Sequence, residues 1–269
     1  MKKKIGVFIT VLSVILASLI HPILLEGQSR PKLDCQKMVL AYVKAFETLD
    51  YRTLANLMGK EYSQKDESEF KKQLDNPEAK EQLAPYLEMI RLFPKIGEIP
   101  DWVTEVALEY EYIEGDYLIE MHGEFVFTGD NWIIQDLEPR GGESLDEEKK
   151  KEYASEISPA SSEGKKTLDT GLNELITKLI SAVKEESWDG VKETGAHPAD
   201  CGLHPSAPPE EREKVLKLLS QFPSIGPIPA PAKTLSLGLK GIVDNKEAEV
   251  EIEFHWPDNK LEILYVDFN

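Results

Sequence analysis

The sequence contains few cysteine, aromatic and basic residues. Of its 269 residues, 2 are Cys and 8% are aromatic, and 31 Lys and Arg stand against 49 Asp and Glu. Two cysteines exclude a disulfide scaffold and a four-cysteine zinc site. The net charge of −18 repels phosphate backbones, so we predict no nucleic-acid partner. The sequence also has no glycine-rich phosphate loop, no His-Glu-x-x-His and no Gly-x-Ser-x-Gly motif.

The one long apolar run lies at the N-terminus. Lys2, Lys3 and Lys4 precede residues 5–25, which carry no charge. Lysines before such a run stay on the cytoplasmic side, so the rest of the chain is predicted to be exported. We interpret residues 1–29 as a signal peptide that is removed or as an N-terminal anchor, the only contact with a membrane that we expect. The protein is then periplasmic, secreted or anchored.

An internal repeat is the most informative feature. Residues 93–100 (FPKIGEIP) recur as residues 222–229 (FPSIGPIP), with six of eight positions identical at an offset of 129. Upstream of this motif, the apolar pattern from Val39 to Phe46 recurs from Ile176 to Val183 at an offset of 137. Two homologous domains explain both matches.

The segment between the two copies differs in composition. Residues 139–168 combine many charges with Gly141-Gly142 and the run Ser158-Pro159-Ala160-Ser161-Ser162, and contain little to bury. We predict a charged flexible linker here, with domains at residues 33–138 and 169–269.

Each copy begins with helical patterns and ends with alternating ones. Apolar residues at three- and four-residue steps predict about three helices per copy. The period then becomes two, with turns at Gly115-Asp116 and Asp244-Asn245. We therefore predict an α+β fold of two tandem repeats, each with about three helices followed by a curved antiparallel sheet of three or more strands.

This order of elements resembles the nuclear-transport-factor-2-like, or cystatin-like, cone fold. The stretch from Ala45 to Leu54 and the closing strand Trp132 to Asp136 support the resemblance. It implies tandem cone domains of an exported bacterial protein, with any pocket between helices and sheet. The family includes lyases, isomerases, ligand-binding domains and secreted domains without known activity, so the fold alone selects none of these.

Three residues are candidates for such a pocket. Tyr42 lies on the first predicted helix, and Asp136 and Asp267 lie near the ends of the two closing strands. Either aspartate could be a general base or a strand-end residue that accepts backbone hydrogen bonds. The alternation places His122 and His255 on the opposite, carboxylate-rich face, where we expect them to be exposed to solvent. Because no residue set carries a clear reaction, we assign no catalytic residue, cofactor or metal.

The two cysteines, Cys35 and Cys201, do not occupy matching positions in the repeat. In an oxidising compartment they are candidates for one disulfide bond.

The leading hypothesis is an exported, non-enzymatic two-domain protein that binds an unknown protein or a small apolar ligand. The alternative is a small-molecule carrier or a lyase- or isomerase-type enzyme that uses an apolar cone pocket. Self-assembly through open sheet faces is a third hypothesis, which the acidic strand positions oppose at low salt.

Overall fold

The computed structural model describes residues 30–159, 166–169, 171–197 and 206–268. In these ranges the chain has eight α-helices and a six-stranded antiparallel sheet, which confirms the predicted α+β class. The helices are α1 (Cys35–Glu47), α2 (Tyr51–Leu57), α3 (Gln64–Leu74), α4 (Pro77–Arg91), α5 (Glu147–Tyr153), α6 (Leu172–Lys184), α7 (Trp188–Glu193) and α8 (Pro209–Leu219). The strands are β1 (Val103–Glu114), β2 (Tyr117–Phe127), β3 (Trp132–Ser144), β4 (Thr167–Leu168), β5 (Ile228–Pro229), β6 (Ala232–Val243), β7 (Lys246–His255) and β8 (Glu262–Phe268). In the described ranges no helix is long and apolar enough to cross a membrane.

Side-chain caps define where the first four helices begin. Asp34, Asp50, Ser63 and Asn76 each accept a hydrogen bond from a backbone N–H of the helix that follows. Helix α3 is an addition to the three helices expected in the first half. Its apolar stripe is weak, since Leu74 is its buried residue, so periodicity did not reveal it.

The six strands form one sheet in the order β3-β2-β1-β6-β7-β8. The two groups of three strands meet where β1 pairs with β6 in antiparallel register, with Leu108 opposite Leu237. We expected a sheet in each half, and the structure joins the two. Pairing β1 with β6 satisfies two strand edges that would otherwise present unpaired backbone groups.

The two Phe-Pro motifs also lie against each other. The N–H of Gly97 donates to the carbonyl of Ser224, and the N–H of Gly226 donates to the carbonyl of Lys95, both at 2.7 Å. A β-carbon at Gly97 would lie 3.0 Å from the backbone nitrogen of Ser224, so glycine permits this close approach.

The core lies on one face of the sheet, beneath the helices. The side chains of Val106, Leu108 and Tyr110 on β1 and of Leu235 and Leu237 on β6 are buried there. They belong to one continuous hydrophobic cluster that includes residues of both halves.

Part of the segment predicted as a flexible linker has regular structure. Strand β3 continues through Ser144, and helix α5 follows at Glu147–Tyr153. Beyond α5, the N–H of Ser158 donates to the carbonyl of Ala232 at 2.7 Å, and the Asn259 side chain donates to two carbonyls of the segment. Residues 160–165 lie outside the described ranges.

Candidate functional site

The helix-facing side of the sheet, where the cone resemblance places any pocket, is closely packed. Tyr110, Met121 and Phe125 are each at most 1% exposed. The Phe93 ring packs edge-on against Tyr110 and Phe125, with centroid distances of 6.2 and 5.7 Å. These apolar positions therefore form core.

A shallow groove lies elsewhere, between α1, α3 and α4. Its volume is about 250 Å³, and Phe46, Leu74 and Leu83 are among its apolar lining residues. Arg91 at its rim forms ion pairs with Glu47 and Glu88. This groove is smaller than the roughly 300–1,000 Å³ that is typical of small-molecule sites.

The opposite face of the sheet is open and carries most of the polar side chains of the strands. The alternation and the strand register assign many carboxylates to this face. They include Glu105, Glu109, Glu111, Glu120, Glu124, Asp136, Glu138, Glu247, Glu249, Glu251, Glu253, Glu262 and Asp267. We call this surface the acidic face.

His122 lies within the acidic face but is buried rather than exposed. It is 6% exposed, and its Nδ1 lies 2.7 Å from Oε1 of Glu109 on the neighbouring strand. Its Nε2 has no hydrogen-bond partner among the described residues, and lies 3.9 Å from Glu124 and 3.8 Å from Asp136. Arg140 covers the cluster and reaches Asp136 at 3.1 Å and Glu109 at 3.5 Å. The expectation that His122 is solvent-exposed is therefore wrong, because side chains from three strands surround the ring.

The charges around His122 set its protonation. Burial lowers the pKa of the imidazole, and the positive charge of Arg140 does the same. The carboxylates of Glu124, Glu109 and Asp136 outweigh both, so the pKa of His122 is raised above its ordinary value. The surrounding carboxylates therefore favour the protonated form of His122 more than water would.

The carboxylates of the acidic face also repel one another. Burial raises the pKa of Glu138, and the nearby Asp136 raises it further. In the second half, burial raises the pKa of Glu253, and the charges of Glu251, Glu111 and Glu109 add to this effect. The face therefore concentrates negative charge.

The three predicted pocket residues do not lie together. Tyr42 lies on the buried side of α1 and is 2% exposed, and this burial raises the pKa of its hydroxyl. Asp136 lies on β3 and binds Arg140, while Asp267 lies on β8 and accepts from the N–H of Phe268 at 2.9 Å. Strands β3 and β8 are the two outer strands of the sheet, so the aspartates are at opposite ends of the acidic face.

The remaining candidates concern sulfur and metal. Cys35 is buried at the start of α1, and burial raises the pKa of its thiol. Cys201 lies outside the described ranges, so the disulfide stays a prediction. Among the described residues, no group of three or more His, Cys, Asp or Glu side chains is placed to hold a metal ion.

The sequence contained part of the signal for the His122 cluster. Alternation placed His122 on one face with Glu124, and the structure has them on the same strand and face. The neighbours across strands, Glu109 and Asp136, depend on the register of three strands, which alternation does not specify.

Comparisons with protein-family models, with curated proteins and with solved structures find no match to this chain.

Proposed function

We propose that this chain is an exported, non-enzymatic binding protein built from two repeats, which recognises its partner through the acidic face. The observation that carries the proposal is the contrast between the two sides of the sheet. The helix-facing side is filled by buried apolar residues, whereas charged groups are concentrated on the opposite side.

The register of the sheet supports the two-repeat origin. Leu108 and Leu237, which pair at the centre of the β1–β6 contact, are separated by 129 residues, the same offset as the two Phe-Pro motifs. The two hydrogen bonds between the motifs are equivalent at this offset, because Gly97 corresponds to Gly226 and Lys95 corresponds to Ser224. Two copies related by a twofold axis make contacts of this reciprocal kind, in which the same surface meets itself.

The His122 cluster is not duplicated as a set, which supports binding over catalysis. At the offset of 129, Glu120 and Glu124 recur as Glu249 and Glu253, but His122 corresponds to Glu251 and Glu109 corresponds to Gly238. The Phe-Pro motif, which both halves keep, makes backbone hydrogen bonds between the halves. It is thus a packing feature, and it provides no nucleophile or acid–base pair.

Export rests on the N-terminal lysines and the uncharged residues 5–25, which lie outside the described ranges. The full chain, produced in a bacterium with a C-terminal tag, is expected outside the cytoplasmic fraction. A matched chain that lacks residues 1–29 is expected to stay inside. Equal distribution of both proteins would contradict export.

Mass spectrometry of the exported protein, under native and denaturing conditions, tests the binding mode. We expect equal native and denatured masses, because the interior is filled. A native excess that disappears on denaturation would indicate a bound small molecule, and would favour the carrier or enzyme hypothesis. The denatured mass also locates any cleavage and shows whether a disulfide has removed two hydrogens.

A further inference from the structure

One ring nitrogen of the buried His122 lies between two carboxylates. The residue is 6% exposed, and its Nε2 has no hydrogen-bond partner among the described residues. This atom lies 3.9 Å from Oε2 of Glu124 and 3.8 Å from Oδ2 of Asp136. A buried polar atom usually has a partner, so the arrangement indicates a place for one. We call Nε2 and these two oxygens the His122 site.

The strand register builds the His122 site from two neighbouring strands. Glu124 follows His122 by two residues on β2, so both side chains are on one face, and Asp136 on β3 lies opposite Glu124. Oε1 of Glu124 accepts from the Gln135 amide at 3.0 Å, while its Oε2 faces His122. The side chains of Glu124 and Asp136 are 20% and 26% exposed. A ligand can therefore reach these carboxylates from the solvent.

The contact with Glu109 determines which hydrogen His122 keeps. Nδ1 lies 2.7 Å from Oε1 of Glu109, and because a carboxylate only accepts hydrogen bonds, Nδ1 carries a hydrogen. Nε2 is then either a second donor, in the imidazolium, or an acceptor with a lone pair, in the neutral ring. In the neutral ring, Nε2 and the two carboxylate oxygens are three acceptors that face one another. Such a set requires a ligand with several donors.

The charges around His122 favour a cation as this ligand. The ring is faced by one carboxylate from β1, one from its own strand and two from β3, namely Glu109, Glu124, Asp136 and Glu138. Arg140 is the cation that pairs with this group, at 3.1 Å from Asp136 and 3.5 Å from Glu109. Four negative charges and one positive charge leave a net charge of −3 beside a neutral imidazole. A second cation is therefore attracted, and it competes with the proton that His122 otherwise binds.

The distances in the His122 site select an ammonium group over a metal ion. A donor nitrogen lies about 2.8 Å from its acceptors, and acceptors 3.8–3.9 Å apart then subtend about 87° at that nitrogen. This angle is within about 25° of the tetrahedral angle between the N–H bonds of an ammonium group. A zinc ion about 2.1 Å from its ligands would need an angle of roughly 130° or more, which does not fit a tetrahedral site. A primary ammonium group also has three donors for the three acceptors.

We propose that the His122 site binds a primary ammonium group, from a lysine side chain or a small diamine, in place of the proton on Nε2. The proposal rests on the binding function proposed above and adds the chemical group that the acidic face recognises. In the complex, the ammonium group donates to Nε2, to Oε2 of Glu124 and to Oδ2 of Asp136. The displaced proton passes to the solvent, and Glu109 positions the ring by accepting from Nδ1.

NMR titrations of the exported protein test the proposal. The probe is N-acetyl-lysine methylamide, and the control is its trimethyl-lysine counterpart, which has the same charge but no N–H donor on the side chain. The readout is the ring Cε1–H resonance of His122, identified by its absence from the His122→Gln variant. We expect the lysine derivative to bind at least about 5-fold more tightly than the control, because only it can donate to the three acceptors.

The pH dependence of the affinity tests the role of Nε2. Since the ammonium group needs the lone pair of Nε2, binding should strengthen as the pH rises through the folded-state pKa of His122. A pKa above about 6.5 keeps more than about three quarters of the ring protonated at pH 6, so we expect a gain of at least about 4-fold between pH 6 and pH 8.5. The ordinary pKa values of lysine, arginine and the carboxyl groups lie outside this range. The affinity of the His122→Gln variant should not change with pH.

Two matched variants locate the contact. Glu124→Gln removes one charge of the His122 site, and Glu81→Gln makes the same change at an exposed position of α4. We expect the first to weaken binding of the lysine derivative about 5- to 10-fold and the second less than about 2-fold. Circular dichroism confirms that both variants fold.

A titration with putrescine distinguishes the two sources of the ammonium group. Putrescine that binds more tightly than the lysine derivative would assign the site to free diamines. Putrescine that binds equally or more weakly would assign it to a lysine side chain of a partner protein. Either result supports a site for primary ammonium groups.

Several results would overturn the proposal. Equal affinity for the lysine and trimethyl-lysine derivatives, or equal weakening by Glu124→Gln and Glu81→Gln, would mean that overall charge attracts the probe. An affinity of the wild type that is constant with pH would exclude Nε2 as an acceptor. No shift of the His122 resonance with any amine, together with equal native and denatured masses, would exclude this ligand and leave the proposed binding function standing. A native mass excess would instead contradict the proposed function, whatever the amines show.

Discussion

Substituting Gly123 with alanine tests whether Phe93, the first residue of the motif at residues 93–100, is held in place by its contact with β2. Gly123 lies on β2, and a β-carbon there would lie 2.6 Å from Cζ of Phe93 and closer still to the adjacent ring carbon. Carbon atoms in contact are normally about 3.5–4.0 Å apart. The Phe93 ring would therefore have to move by about 1 Å, although it is 2% exposed and held by Tyr110 and Phe125.

Two opposing effects set the change in the free energy of unfolding that Gly123→Ala causes. Overpacking of a close-packed core costs roughly 1–3 kcal/mol. Alanine in a strand regains roughly 0.5–1 kcal/mol over glycine, since Gly123 does not have a positive φ. We therefore expect Gly123→Ala to lower the free energy of unfolding by about 1–2 kcal/mol.

A double-variant cycle measured by urea unfolding assigns this effect to Phe93. Phe93→Leu removes the ring atoms nearest Gly123 and costs roughly 1–2 kcal/mol by itself. In the double variant the alanine methyl occupies the vacated space, so the combined cost should fall at least about 1 kcal/mol below the sum. The control is Gly141→Ala, where no atom lies within 4 Å of the added carbon, and it should change stability by less than about 0.5 kcal/mol.

Additive effects in this cycle would refute the reasoning. So would a Gly123→Ala variant that is as stable as the Gly141→Ala control. Either result would mean that the ring of Phe93 moves at little cost and does not fix the contact between the motif and β2.

Three further predictions concern single side chains, each measured by urea unfolding. Ser187→Ala should cost about 1 kcal/mol, because the hydroxyl that caps α7 by accepting from the N–H of Gly190 is lost; an unchanged midpoint would contradict this. Tyr110→Phe should be neutral or stabilising by up to about 1 kcal/mol, since its buried hydroxyl has no hydrogen-bond partner among the described residues. As a control, Tyr86→Phe should cost about 0.5–1.5 kcal/mol, as its hydroxyl donates to a carbonyl at 3.3 Å. The pKa of His122 is raised in the folded state. The stabilisation that protonated His122 gives the fold is therefore complete at pH values below its unfolded-state pKa near 6.5, and it is lost as the pH rises through the folded-state pKa. The stability advantage of the wild type over His122→Gln should therefore shrink as the pH rises above about 6.5, and a constant difference would exclude this origin.

Local features of the fold could be predicted from the sequence because neighbouring residues determine them. The period-two segments predicted strands, and the Gly115-Asp116 and Asp244-Asn245 turns connect β1 to β2 and β6 to β7 in the structure. Asp244 and Asn245 both have positive φ, which asparagine and aspartate tolerate better than most residues.

Features that depend on distant residues could not be predicted. Alternation specifies which face a residue occupies, but not which strand lies beside it. The pairing of β1 with β6, and the enclosure of His122 by Glu109 and Asp136, therefore needed the three-dimensional structure. Helix α3 was missed for a different reason, since a polar helix on the surface has little periodicity to detect.

On the two-repeat proposal, the contact between the halves explains which residues stayed alike. A reciprocal contact such as that of Gly97 with Gly226 restricts both copies at once, because a change in either would disturb the same backbone hydrogen bonds. The acidic face is kept only in part: Glu120 and Glu124 recur as Glu249 and Glu253, whereas His122 in one half corresponds to Glu251 in the other. The two halves of the acidic face are therefore unequal, with His122 and Arg140 among the carboxylates of the first half and, among the described residues, no ion-pair partner for Glu251 or Glu253 of the second. A partner that binds there meets an asymmetric surface, so we expect it to bind in one orientation.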